Sequence, residues 1–230
     1  MPDAPRQLAF DLPLDPRYGR EDFLVSPSNE AAYGFIERWP DWPGPLLRLE
    51  GPRGSGKSHL ASIWATDAQG WTVQAEAVKA ADVPHLASKG ALVIEDMDRG
   101  ERDEPALFHL LNLVRERSGF LLITGASSPD RWGLRTPDLL SRLRLAPCVT
   151  LDPPDDALLK AVLVKLFVDR QLVVDTTLVD YISLRTERSL ARAAEVVAAL
   201  DREALSRGRR ITRPMAAEVL GTSPAEDEED

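Results

Sequence analysis

Apolar and polar positions follow two rhythms along this chain. Ala91-Leu92-Val93-Ile94 is an unbroken apolar run, which predicts a strand covered on both faces. Residues 120–124 read the same way, and residues 46–49, 71–75 and 149–151 predict three shorter strands. Helical signals fall between them. Ser28 or Asn29 can cap a helix that Pro40 stops after Trp39. A second helix is expected over residues 57–68. A third starts at Pro105, runs to Ser118 and is closed by Gly119. Strands alternating with helices predict an α/β fold, a parallel sheet with helices on both faces.

After Pro153-Pro154 the rhythm becomes helical throughout. Residues 155–170, 176–185, 189–207 and 214–220 all predict helices, with no strong strand between them. Four prolines among residues 1–22 and no helical period predict an extended arm. The expected organisation is an arm over 1–21, an α/β domain over 22–152, a small all-helical domain over 153–221 and an acidic tail over 222–230. No internal repeat is present.

Composition narrows the function. Of 230 residues, 43% are apolar and 28% charged, an ordinary globular balance. No apolar stretch approaches the roughly 20 residues that span a bilayer, and no signal peptide opens the chain, so a cytoplasmic protein without membrane contact is expected. The lone Cys148 can form no internal disulfide and build no zinc site; its place opening a strand predicts a core residue. The net charge is −9; five of the negatives lie in the last five residues, which leaves −4 for residues 1–225. A protein that lives by phosphate-backbone contacts is usually basic. The five tryptophans form no basic stacking stripe. Autonomous DNA binding is therefore disfavoured, and DNA is expected only as an indirect partner. Arginine nevertheless supplies 23 of the 28 cations, and arginine suits bidentate recognition of phosphate and carboxylate. Nucleotides and acidic protein surfaces stay open. The segment from Arg185 to Arg213 carries eight arginines and four acids, and reads as a solvated helical face.

One segment carries specific chemistry. Gly51-Pro52-Arg53-Gly54-Ser55-Gly56-Lys57-Ser58 fits G-x-x-x-x-G-K-S/T at every position, with a strand before it and a helix after it. Glycines let successive N–H groups point at a phosphate, and the helix aims its positive end at the same charge. Lys57 is expected to reach the β- and γ-phosphates of ATP or ADP, and Ser58 to bind Mg²⁺. Gly51, Gly54, Ser55 and Gly56 line the loop. Leu92-Val93-Ile94-Glu95-Asp96 fits the partner motif, an apolar strand ending in two acids. Glu95 is expected to hold Mg²⁺ through water and Asp96 to orient the attacking water. The usual order is aspartate first and glutamate second. The reversal here shifts each carboxylate by about one methylene, and hydrolysis is sensitive to errors of about 1 Å, so binding with weak own turnover is expected. Thr124, the polar end of its strand, is a further candidate for positioning water.

The phosphate loop, the acidic strand end and the helical C-terminal part together resemble an AAA+ ATPase. Within that group the sequence is similar to the nucleotide-binding part of the bacterial replication initiator DnaA. Asp22-Phe23-Leu24-Val25-Ser26-Pro27-Ser28-Asn29 resembles the segment that lines the adenine site, which implies Val25 as a nucleotide contact. Gly56-Lys57-Ser58-His59-Leu60 resembles the exit of the initiator's phosphate loop and brings in His59. Leu140-Ser141-Arg142-Leu143 resembles the motif of the interface arginine, implying a catalytic role for Arg142. Arg188-Ser189-Leu190 resembles the lid motif whose arginine senses the γ-phosphate. The likeness covers residues 22–221, and the initiator's helix-turn-helix domain is not expected to follow it.

Ahead of it stands Gln7-Leu8-Ala9-Phe10-Asp11-Leu12, similar to a sliding-clamp-binding peptide. The Gln7 amide suits a pocket rim, and Leu8, Phe10 and Leu12 offer apolar anchors from an extended segment. A strand docking on its own domain is the plainer reading. The whole pattern resembles the Hda family of initiator-related regulators. That resemblance implies ADP as the resident nucleotide and two partners, the sliding clamp and DnaA, whose bound ATP is hydrolysed in response. It leaves room for a homo-oligomer. Two other functions fit the same residues: a replication factor or loader that tethers another protein at DNA, and a nucleotide-gated binding module with negligible turnover.

Overall fold

Five apolar runs become the five strands of one sheet: β1 (Leu46–Glu50), β2 (Trp71–Gln74), β3 (Ala91–Glu95), β4 (Phe120–Gly125) and β5 (Cys148–Thr150). In this computed structural model, which describes residues 18–221, all neighbouring strands run parallel in the order β2-β3-β4-β1-β5. The expected α/β fold with its helical C-terminal part is what forms. Gln7, Leu8, Phe10, Leu12 and the acidic tail lie outside the described residues.

The central position of β3 explains its unbroken apolar run. Leu92 and Ile94 point into a core that also holds Leu107, Leu110, Leu121, Ile123, Leu139 and Leu143. Ala91 and Val93 point into the opposite core with Leu47, Leu49, Leu60, Trp64 and Leu122. Each such leucine or isoleucine contributes about 1.5–3 kcal/mol by leaving water. Helices α1 (Glu30–Ile36) and α2 (Lys57–Asp67) cover the second face. Helices α3 (Val83–Leu86), α4 (Glu104–Glu116) and α5 (Pro137–Leu145) cover the first.

Four expectations need correction. The helix expected to reach Trp39 ends at Ile36; the residue before a proline is pushed out of helical geometry. Asn29 does not cap it. The Asn29 side chain is turned back, accepting from Ser26 N at 2.8 Å and donating to Leu24 O at 2.9 Å. Cys148 is exposed rather than core, because β5 is an edge strand. Residues Tyr18–Asp22 pack on the α/β unit instead of extending an arm. Arg20 donates to the Tyr33 hydroxyl at 3.1 Å and ion-pairs with Glu37 and Asp67. These anchors are charged, so apolar periodicity does not register them.

The chain divides into a unit over Tyr18–Leu158 and a second that contains residues from Leu159 onward. The second unit is built from α6 (Asp156–Asp169), α7 (Thr176–Arg185), α8 (Leu190–Arg207) and α9 (Arg213–Leu220). Its core gathers Leu163, Phe167, Ile182, Val196, Val197, Leu200 and Ala216. Asp175 caps α7 by accepting from Leu178 N at 2.9 Å, and Ser189 caps α8 by accepting from Arg192 N at 3.2 Å.

Candidate functional site

The glycine-rich segment forms the turn between β1 and α2, at the carboxyl end of the sheet. Gly51 follows β1 and donates to Gly125 O at 3.2 Å, which fixes the loop to the end of β4. Gly54 and Gly56 adopt φ of 75° and 101°, where a side chain is strained. Gly56 thereby delivers the chain directly into α2, with no side chain capping its first turn. The orphan N–H groups of that turn are the chemistry of an anion cradle. Ser55 is 3% exposed, and its hydroxyl is buried without a partner. Ser58 is exposed. These features fit a phosphate group: free donors and an unmatched hydroxyl.

Lys57 is buried and donates to the carbonyls of Gly51 at 2.7 Å and Pro52 at 2.9 Å. Burial pushes its ammonium below the ordinary lysine value, and the carboxylates of Asp98, Asp96 and Glu95 pull it partly back. Asp98 leads those carboxylates, although the strand-end motif points only to Glu95 and Asp96. Its Oδ1 is buried without a partner, as is Glu95 Oε1. Glu95 Oε2 accepts from Gln74 Nε2 at 3.1 Å. Asp96 sits at φ 55°, in left-handed geometry, with its N–H donating to Thr124 Oγ1 at 3.1 Å. Thr124 is 1% exposed and its carbonyl accepts from Met97 N at 3.0 Å. The turn after β3 is thus tied to the end of β4. Among the described residues no three acidic, histidine or cysteine side chains form a ready-made metal cage. A Mg²⁺ site needs none, because that ion usually combines one or two carboxylates with phosphate and water. Ser58 and Glu95 suit such a site.

The segment before α1 lies against the same helix start. His59 Nε2 donates to Gly19 O at 2.8 Å, and the His59 ring meets Phe23 edge-on at 5.1 Å. Val25, two residues beyond Phe23, is 49% exposed. Tyr18 stands 5.3 Å from the His59 ring, and burial and then the charge of Glu95 raise its phenol above the ordinary value. Pattern reading left Tyr18 in the arm, since one aromatic after prolines and arginine carries no period.

Arg142 lies elsewhere. It occupies the last turn of α5, with its guanidinium 4.8 Å over the Phe108 ring. It borders Leu46, the first residue of β1, and Leu121, the second of β4. The phosphate loop follows the other end of β1. At about 3.3 Å per residue, four steps of strand separate the two ends by about 13 Å. Its neighbour Arg144 is committed to Asp130, donating from Nε at 2.8 Å. Helix α5 is held at its start by Glu104, whose carboxylate accepts from Arg135 N at 3.0 Å and Thr136 N at 2.7 Å. Burial raises the Glu104 carboxyl, but these bonds more than offset it and hold it below the ordinary value. Arg102 donates to Met97 O at 2.8 Å and Trp132 O at 2.5 Å, linking the turn after β3 to the stretch before α5. Arg188 belongs to the second unit, exposed between α7 and α8.

The sheet thus brings together the phosphate loop, Glu95, Asp96 and Thr124 at one end and carries Arg142 at the other. No helix among the described residues is long and apolar enough to cross a membrane. No family model matches the sequence, and no curated protein does. Solved structures match in fold. Domain III of the Thermotoga maritima replication initiation protein DnaA superposes with a TM-score of 0.75 at 19% identity, over 91% of this chain and 98% of that one. Replication initiator DnaA bound to AMPPCP and single-stranded DNA gives 0.68 at 19% identity, over 85% and 69%. The Thermotoga maritima RuvB Holliday junction branch migration motor gives 0.60 at 19% identity, over 77% and 61%. The chain therefore has the AAA+ P-loop fold shared by DnaA and RuvB, a parallel five-stranded sheet with flanking helices and a helical C-terminal part.

Proposed function

We propose that this protein is a DnaA-related regulator of the Hda kind: it binds ADP or ATP with Mg²⁺ and, with the DNA-loaded sliding clamp, promotes hydrolysis of ATP bound to DnaA. One observation carries the reading. Arg142 and the phosphate loop stand at opposite ends of one strand, about 13 Å apart along it, so Arg142 is badly placed to serve its own loop. A nucleotide on another molecule is the remaining recipient, and DnaA is the candidate by likeness of fold and motif.

In the chain's own site Lys57 would leave its two carbonyls for the phosphates, Ser58 and Glu95 would hold the metal, and Val25 and His59 would border the nucleoside. Mg²⁺, when bound, neutralises phosphate charge. The reversed order of Glu95 and Asp96 favours tight binding over own turnover, while the Asp96 main-chain N–H is tied to Thr124 Oγ1. Arg188 is assigned to the nucleotide on its motif alone. In trans, Arg142 would set a planar, always protonated guanidinium against charge spreading over the γ-phosphate oxygens. Residues Gln7 to Leu12 would tether the protein to the clamp.

The test is turnover of DnaA-bound ATP with and without this protein and DNA-loaded clamp. Acceleration that requires both is expected. Equal turnover in all mixtures removes the proposal.

A further inference from the structure

Beside Arg142 lies a cavity of about 340 Å³ at the amino-terminal end of the sheet. Leu46 and Leu121 form its floor, and Leu111 and Val114 of α4 form one wall. Leu145, the last residue of α5, stands at its edge 83% exposed. A single exposed leucine is ordinary; one that adjoins an apolar cavity offers a continuous surface for a side chain to enter. The volume lies at the lower end of the range for ligand sites, about 300–1,000 Å³, and accepts one aromatic or branched side chain.

Two arginines, Arg115 and Arg142, border this opening. Arg20, Arg48, Arg144, Arg192 and Arg207 are paired with carboxylates, while Arg38, Arg102 and Arg117 rest on a ring or on carbonyls. Arg115 and Arg142 have no carboxylate partner among the described residues, and Arg142 rests on Phe108 instead. In a chain of net charge −9, two unmatched guanidinium groups around an apolar floor select for acid beside an apolar group. A second copy fits poorly. A two-fold contact sets each patch against itself, so arginines would meet arginines.

We propose that this cavity is the docking pocket for a segment of the protein partner that inserts one apolar side chain flanked by carboxylates. This rests on Arg142 serving a partner: the pocket would anchor that partner beside the arginine it receives.

The first measurement titrates the full chain, methyl-labelled for NMR, with a blocked peptide carrying one tryptophan between aspartates. Shifts at Leu46, Leu111, Val114 and Leu121 are expected. They should weaken with salt and vanish in Leu145→Asp combined with Arg115→Glu. A peptide with lysine in place of aspartate should not shift them. Leu145 is exposed, so its replacement leaves the core intact. The pocket assignment falls if these methyls stay still at millimolar peptide or answer the lysine peptide equally. It also falls if deleting residues 222–230 shifts them without any peptide, which would make the chain's own tail the occupant.

The second measurement follows DnaA-ATP turnover against concentration of this protein. Leu145→Asp should raise the concentration for half-maximal stimulation roughly tenfold at an unchanged plateau, as loss of one buried leucine contact requires. Arg142→Ala should lower the plateau. If Leu145→Asp stimulates like the parent, the docking pocket is wrong and the finger stands. If the parent itself gives no stimulation while the peptide still binds, the proposed function fails and the docking pocket for an acidic segment stands.

Discussion

The two ends of the central sheet share five strands and differ in almost everything else. At the carboxyl end the backbone is polar and open, with left-handed glycines, a buried lysine folded onto carbonyls, and side-chain oxygens of Ser55, Glu95 and Asp98 without partners. At the amino end the surface is apolar, bordered by two arginines. Unmatched polar atoms under a loop suit a small anion, because a ligand can satisfy them all at once. An apolar cavity with a charged border suits a protein, because desolvated contacts give affinity and charge sets orientation. One parallel sheet can keep these tasks about 13 Å apart on rigid strands.

The largest effect should come from the arginine. Arg142→Ala is expected to reduce stimulated DnaA-ATP turnover by about 10³ while ADP affinity of the chain stays at the parent value. Lysine should rescue only in part, lacking the planar fork. A coupled loss of ADP binding would erase the distinction between the ends. Next comes Lys57→Ala. Loss of the loop's one charged side chain aimed at phosphate should weaken ADP by about 10- to 100-fold in calorimetry. Peptide binding at the opposite end should not change. Asp96→Gly probes strain at the carboxyl end. Glycine adopts the observed φ of 55° freely, so chemical denaturation should show a gain of about 1 kcal/mol. A loss would mean that the Asp96 side chain stabilises the turn.

The smallest effect is a pH dependence at the start of the finger helix. Glu104 has a carboxyl pKa depressed from its ordinary 4.5. Its contribution to stability is complete above that value and disappears as pH falls through the lower folded value. Glu104→Gln should flatten this part of the acid profile, measured by thermal melting from pH 6 down to 3. An unaltered slope would free α5 from that carboxylate.

Much of this architecture was legible in the sequence, for reasons that particular residues show. Ala91-Leu92-Val93-Ile94 reads as a doubly covered strand because both faces of a central strand need apolar residues. Pro105 and Gly119 punctuate α4, since one lacks an N–H and the other tolerates the turn that follows. The sequence did not reveal that β5 lies at an edge: strand order is a property of topology, so Cys148 looked buried. Short α3 has no room for a period. Asp98 was missed because its place beside Lys57 depends on the left-handed turn at Asp96, which a motif written in one dimension does not encode. Arg142 alone sits in the Leu-Ser-Arg-Leu match, and the ion pair of Arg144 with Asp130 separates the two further.

Glu104 grips the start of α5 through the main-chain N–H groups of Arg135 and Thr136, and the Thr136 side chain adds a bond. Main-chain recognition is blind to side chains, so position 135 can drift during evolution without loosening the helix that carries Arg142. Proline is the exception, having no N–H to give. Arg135→Pro would break that hold on a helix whose own residues had not changed, and a lineage that tolerates every other residue at 135 should still avoid that one.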